Sequence, residues 1–287
     1  VAPRKLGLEL ITFPFRILNS IFQTISIVRN FDLLVGFGGY VSASAYLAAF
    51  VLRKPIVIHE QNAKVGIANR LGARFAKSVA VAYPSTAKGL MGAKVVGNPL
   101  RDSIVTAALN AESDWQVARQ SAKERLQVSG SLILVIGGSS GSKAINQVIR
   151  EGNFKNCTVI HSVGKANELP KGNDKYRPVP YIEDMATALL AADLVISRSG
   201  AIAVTEIAAL GKYALFIPLP IGNGEQELNA KELVAAHKAE LISQREFTAA
   251  WLEANLQRLL NQGSPSAYGT ILNSAEQIAE CIKEVLI

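Results

Sequence analysis

Arg198-Ser199-Gly200-Ala201-Ile202-Ala203-Val204-Thr205-Glu206 follows directly on the apolar run 192–197, and the junction reads as a buried strand turning into a helix. Glycine and alanine leave the first backbone N–H groups of that helix uncovered. Unpaired donors and the helix dipole together attract a diphosphate. Glu206 falls about 9 Å further along the axis, at ~1.5 Å per residue. It is far enough to spare the phosphates its charge and near enough to accept both hydroxyls of an attached ribose. Ile202, Ala203, Val204, Ile207, Ala208 and Leu210 surround it, so the helix reads as mostly buried and its carboxylate needs a partner.

The second glycine turn, Gly137-Gly138-Ser139-Ser140-Gly141, also follows an apolar run and enters a helix. Alone it has a purely steric explanation. Paired with Ser199-Gly200-Ala201 in the same half of the chain, it reads as part of one nucleotide-diphosphate cradle.

Working outward, strand-like runs at 33–35, 55–58, 78–82, 94–96, 132–136, 158–161, 194–197 and 214–218 alternate with helical stretches at 44–53, 65–75, 143–149, 185–191, 201–210 and 226–236. That alternation predicts α/β architecture, two doubly wound parallel sheets with helices on both faces. The chain turns polar over 106–130, which places the domain change near Arg101, giving domains at 1–101 and 102–271. The last helix, 274–286, suits either, and segment 272–287 is assigned to the first. Polar motifs follow strand after strand, at the edge where open α/β sheets bind ligands.

Pro14 is placed to begin a helix, with Leu18, Ile21, Phe22, Ile25 and Val28 on one side. That helix either covers the sheet or also lies on an anionic membrane surface, with basic residues at the headgroups. Residues 33–52 carry no charge, but Gly36, Gly38, Gly39, Ser42 and Ser44 interrupt them, so strand, tight turn and buried helix fit better than a span. Val1-Ala-Pro-Arg-Lys5 does not read as a secretory signal.

The chain has 287 residues, 49% hydrophobic and 18% charged, which suits a globular protein with two cores. Its net charge of +7 predicts an anionic partner. There is no basic run, helix-turn-helix pattern or aromatic stripe, so nucleic acid is not expected. Phosphorylated small molecules and anionic lipid remain. Two distant cysteines and three scattered histidines give no metal spacing, no Asp-x-Asp pair holds a metal against a diphosphate, and no cofactor is implied. GxGxxG and GxxxxGK[ST] are both missing. A diphosphate held without metal relies on helix ends and cations, with Arg101 and Arg198 the nearest candidates.

In the first half, His59-Glu60-Gln61-Asn62 packs four polar residues between a buried strand and a helix, which points to a site. Gly38-Gly39-Tyr40 is either a steric turn or a set of bare N–H groups for a second phosphate.

These stretches resemble the MurG family of peptidoglycan glycosyltransferases: GFGGYVS (36–42), IHEQNAKVGIANRL (58–71), VVGNPLR (95–101), LVIGGSSGSKAINQ (134–147), YIEDM (181–185), RSGAIAVTEIAALG (198–211) and EQELNA (225–230). The resemblance implies a two-domain GT-B fold and inverting, metal-independent transfer of N-acetylglucosamine (GlcNAc) from UDP-GlcNAc to undecaprenyl-linked lipid I, giving lipid II. It implies a peripheral enzyme on the cytoplasmic membrane face.

Carried over, Ile182 meets uracil through its backbone and Glu206 the ribose. Ser139 and the helix start Ala201, Ile202, Ala203, Val204 and Thr205 hold the diphosphate. Gln226 and Asn62 touch the sugar, and Arg101 belongs to the donor site. Gly38, Gly39, Tyr40, Val41 and Ser42 take the acceptor diphosphate.

The family's opening GGTGGH loop, whose histidine is the favoured base, has no counterpart in this sequence. Glu60 is the weaker candidate base. A protein lacking that loop is expected to bind donor without efficient chemistry, as a non-catalytic subunit. A glycolipid synthase or UDP-GlcNAc 2-epimerase of the same fold is the other alternative. Ala203 stands where the family has Thr, Glu225 where it has Gln, and Ser44 where it has Pro.

Overall fold

Parallel strands need a crossover between them, and the apolar runs are spaced to leave room for helices. The computed structural model describes residues 19–138, 140–154, 156–221, 223–262 and 270–287. Its contacts divide the chain into two units, Val1–Asn98 with Asn273–Ile287, and Pro99–Leu272. The division falls a few residues before the point suggested by the polar stretch, and Arg101 lies in the second unit.

In the first unit the described residues open with a helix over residues 19–28 (α1), the expected start at Pro14 lying outside them. It continues through β1 (Leu34–Gly36), α2 (Tyr40–Val51), β2 (Ile56–Glu60), α3 (Ile67–Gly72), β3 (Ser78–Val81), α4 (Pro84–Ala87) and β4 (Lys94–Val95). The strands are parallel in the order β1-β2-β3-β4. Period-2 alternation sends Ile56 and Ile58 to one face, against Val28 and Tyr46, and Val57 to the other. Val28 and Ile25 of α1 pack on the sheet while Phe22 and Ile27 face outward. The uncharged segment 33–52 is β1, a glycine turn and α2. Among the described residues no helix is long and apolar enough to cross a membrane.

The second unit contains α5 (Asp102–Ala111), α6 (Trp115–Arg125), β5 (Ser131–Ile136), α7 (Lys143–Glu151), β6 (Cys157–Ser162), β7 (Tyr176–Val179), α8 (Met185–Ala191), β8 (Leu194–Ser197), α9 (Ala201–Ala209), β9 (Ala214–Phe216), α10 (Glu225–Ala235), β10 (Ala239–Leu241) and α11 (Ala249–Leu260). Its parallel sheet runs β10-β9-β8-β5-β6-β7. Leu132 and Leu134 face α5, α8 and α9, whereas Ile133 and Val135 face α7 and α11. The last helix, α12 (Ser274–Leu286), joins the first unit, setting Ile278 and Cys281 against Val57 and Ala80.

The polar stretch 106–130 forms helices because its anchors are ionic. On α6, Arg119 pairs with Asp193, Lys123 Nζ lies 2.7 Å from the same carboxylate, and Asp193 accepts the Leu132 N–H at 2.7 Å. Lys212 lies close to these cations, buried, its Nζ donating to Leu190 O at 2.6 Å. Burial first, then Arg119 and Lys123, lower its pKa from 10.5 to about 7. Between those values the unfolded chain holds a proton that the folded one has shed, so this group makes stability rise with pH. We therefore expect the stability difference between the parent and Lys212→Met to move in the parent's favour from pH 7 towards 10.5 and to stay flat below 7. Denaturant titrations across that range check it; a flat difference throughout refutes the burial of a titrating amine.

Candidate functional site

In the second unit, the strand order reverses between β5 and β8, which lie side by side with Ile136 opposite Ser197. Such a reversal opens a crevice beyond the strand ends. Both glycine turns leave from there. Gly137 is required by close approach, since a β-carbon there would sit 2.4 Å from Ser142 N. Gly200 is different: its φ of −65° suits any residue, and a β-carbon there would meet nothing within 4 Å. The fold leaves the space before Gly200 open.

Two clefts meet at Gly138 and Ala203. One, of about 500 Å³, has apolar walls of Ile136, Met185, Leu189, Ile202 and Ile207, with Tyr181, Arg101 and Glu206 among them. The other, of about 550 Å³, is lined by Gly137, Gly141, Ser142, Lys143, Arg198, Gly200, Gln226 and Gln244 among others. The N-termini of α7 and α9 both open on the second cleft.

Glu206 is 5% exposed, and Arg101 grips it in bidentate fashion, Nε to Oε1 and Nη2 to Oε2, both at 2.8 Å. This is the partner that a buried carboxylate requires, and the pairing raises the Arg101 pKa. Arg198, the other expected phosphate cation, is half-buried and works structurally as well. It donates to Ile217 O, Pro218 O, Ser142 Oγ and Gln244 Oε1 at 2.6–3.0 Å. All four acceptors are neutral, so its charge is not cancelled by them. Burial lowers its pKa.

The structure narrows the α9 contribution. Val204 spends its N–H on Gly200 O at 3.0 Å and packs its side chain into the core. Thr205 turns its hydroxyl back to Ala201 O at 2.9 Å. Ala201, Ile202 and Ala203 carry the N–H groups that lie ahead of the first internal hydrogen bond of the helix. Ser139 lies outside the described residues.

Ile182 buries its side chain with Met185 in the core. Gln226 accepts the Leu219 N–H through Oε1 at 2.9 Å, so its NH₂ is what it can offer. Glu225 is drawn back onto Asn223, each accepting the other's N–H, and is absent from the lining of either cleft. Tyr181, Ser142 and Gln244 were not singled out from sequence. Tyr181 belongs to the quoted YIEDM stretch, whereas Gln244 has no local signal.

In the first unit, Glu60 is 2% exposed and turned inward. Oε1 accepts from Asn62 N (3.0 Å) and Asn62 Nδ2 (3.3 Å), and Oε2 from Gly66 N and Asn69 Nδ2 (both 2.9 Å). With both oxygens occupied this way Glu60 braces the loop, and the structure does not support its candidacy as a base. His59 is buried, with Nε2 2.8 Å from Gly97 O, and burial lowers its pKa. Gly38 and Gly39, at φ +84° and +87°, lead into α2. Tyr40 and Val41 stand out in solvent, while Ser42 donates its hydroxyl to Gly38 O at 2.5 Å. Among the described residues, no group of three or more His, Cys, Asp or Glu is placed to hold a metal.

Residues 132–285 match the glycosyltransferase family 28 C-terminal domain, and residues 2–81 its N-terminal domain. The chain is 38% identical over 303 residues to the UDP-N-acetylglucosamine--N-acetylmuramyl-(pentapeptide) pyrophosphoryl-undecaprenol N-acetylglucosamine transferase of Corynebacterium diphtheriae, covering 99% of this chain and 80% of that protein. The chain belongs to the MurG family. A like-named transferase of Streptomyces coelicolor is 41% identical over 271 residues, covering 90% of this chain and 72% of the relative. The crystal structure of Acinetobacter baumannii MurG superposes with a TM-score of 0.74 at 30% identity, covering 94% of this chain and 79% of that one. A UDP co-structure of Staphylococcus aureus MnaA, at 16% identity and a TM-score of 0.64, shares the fold. The fold is GT-B, two parallel-sheet α/β domains.

Gly200 gives a direct check on the cleft. In Gly200→Ala, cap preference and chain entropy oppose each other, so stability should change by less than about 1 kcal/mol. UDP affinity, measured by calorimetry, should fall about 10-fold. Unchanged affinity would mean the open space is not where the phosphates lie.

Proposed function

We propose that this chain transfers GlcNAc from UDP-GlcNAc to lipid I, inverting the anomeric centre and yielding lipid II, as a peripheral protein on the cytoplasmic membrane face. The observation that carries the reading is the meeting of an apolar cleft, a buried Glu206 and two helix N-termini at one strand-order reversal. Those parts fit a base, a ribose and a diphosphate in that order.

Uracil lies between Tyr181 and Met185, paired with the Ile182 backbone. The ribose hydroxyls take oxygens of Glu206 that Arg101 otherwise holds, which frees guanidinium charge for the phosphates. The N–H groups of Ala201, Ile202 and Ala203, Ser139, and the uncancelled charge of Arg198 stabilise UDP as it departs. The alanine at 203 contributes its N–H and no hydroxyl. Gln226 orients the sugar. The turn Gly38–Ser42 offers N–H groups to the acceptor diphosphate, and exposed Phe22, Ile27 and Phe31 suit a membrane surface. Glu60, with both oxygens engaged by its own loop, is not proposed as the base that takes the acceptor proton.

Glu206→Ala should raise KM for UDP-GlcNAc roughly 10- to 100-fold, the scale of charge-assisted hydrogen bonds lost from a buried site. Steady-state kinetics with a lipid I analogue give the value. No change in KM would remove Glu206 from the ribose.

A further inference from the structure

Tyr46, in the second turn of α2, is completely buried, yet most of its surroundings are apolar: Val28, Ala48, Ala49, Ile56 and Ile58. A phenylalanine would fill the same space. The hydroxyl therefore has a task other than packing. It donates to Asn69 Oδ1 at 2.6 Å, and Asn69, also without exposed surface, donates Nδ2 to Glu60 Oε2 at 2.9 Å. The other Glu60 oxygen accepts the Asn62 backbone N–H. A continuous buried chain thus runs from the helix carrying the glycine turn to the loop carrying Asn62.

The backbone is shaped around this chain. A β-carbon on Gly36 would fall 2.1 Å from the Tyr46 hydroxyl oxygen, and one on Gly72 2.4 Å from its ring. One on Gly38 would fall 3.0 Å from Asn69 Nδ2, so the turn sits directly on the amide. Buried polar chains of this kind are costly when incomplete and set one arrangement when complete.

We propose that Tyr46 is a positioning residue for the acceptor: through Asn69 it locks the Gly38–Ser42 turn to the Glu60–Asn62 loop. This rests on the reading, given above, that the turn receives the acceptor diphosphate. Tyr46 itself touches no substrate. Its hydroxyl acts on acceptor binding through the turn, and the nucleotide cleft of the other unit does not depend on it.

The test is steady-state kinetics of the full-length protein with Tyr46→Phe, Asn69→Ala, the double variant and Gly39→Ala, together with thermal unfolding. Gly39→Ala puts a β-carbon at φ +87°, a conformation that glycine adopts and alanine resists, and so distorts the turn itself. The expected result is an acceptor KM raised roughly five-fold in Tyr46→Phe, the scale of one hydrogen bond, with UDP affinity, measured by calorimetry, unchanged. The double variant should be no worse than Asn69→Ala alone, because both changes cut one chain. Additive effects, or an equal loss of UDP affinity, would overturn the proposal in favour of a general loss of packing. A raised acceptor KM in Gly39→Ala with none in Tyr46→Phe overturns it while the acceptor reading stands. Unchanged acceptor KM in both removes that reading and the proposal with it.

Discussion

A carboxylate inside a protein must be met by a cation or by several N–H groups, and each unit of this chain is organised around one such demand. In the second unit, among the described residues, Glu206 is met by Arg101 through two parallel hydrogen bonds. Arg101 is 43% exposed along its side chain, so the pair borders solvent and can be exchanged for other donors. In the first unit Glu60 is met by neutral N–H groups from Asn62, Gly66 and Asn69, all part of the fold. A ligand could replace the first arrangement and would have to unfold a loop to replace the second. Similar residues thus serve opposite ends, one open to exchange at the border of solvent and the other a brace.

The position of Glu206 follows from the sheet. Because β5 and β8 are neighbours though distant in sequence, the turns after them open side by side. Helix N-termini alone bind anions modestly. Here they are joined by Arg198, whose guanidinium is fixed by the carbonyls of Ile217 and Pro218 and by neutral side chains. Fixing a cation with neutral acceptors immobilises it and keeps its field, and that is what a departing diphosphate needs at the moment of bond cleavage.

Central strands were legible in the sequence because burial on both faces makes them continuous apolar runs. The edge strands β7 and β10 were not: they are short, and Pro178 in β7 is tolerated only because an edge strand has a free side. Helix α6 gives no apolar stripe to read, because it is anchored by Arg119 and Lys123 on Asp193. At the site, spacing located Glu206 and the two glycine turns, since those are backbone demands. It could not tell that Val204 and Thr205 are spent within α9, or that Glu60 points inward, because hydrogen-bond direction is a tertiary fact. The partner of Glu206 lies far away in sequence at Arg101, which no local pattern connects to it.

The surfaces of the two units differ in a way that bears on the substrates. Among the described residues, the large exposed aromatics, Phe22, Phe31, Phe37, Tyr40 and Phe50, all belong to the first unit, and Ile27, Val51, Ile67 and Met91 are exposed there too. Among the described residues, the large hydrophobic side chains exposed in the second unit are aliphatic, such as Leu109 and Ile221. A water-soluble nucleotide sugar is recognised by N–H groups, a carboxylate and fixed charge, all found in the second unit. A lipid-linked acceptor offers a diphosphate beside hydrocarbon, and a glycine turn flanked by exposed aromatic side chains answers both. Aromatic rings prefer the boundary between headgroups and acyl chains, and the net charge of +7 favours an anionic bilayer. This division of chemistry between the units is the ground on which we propose donor recognition by one and acceptor recognition, at a membrane, by the other.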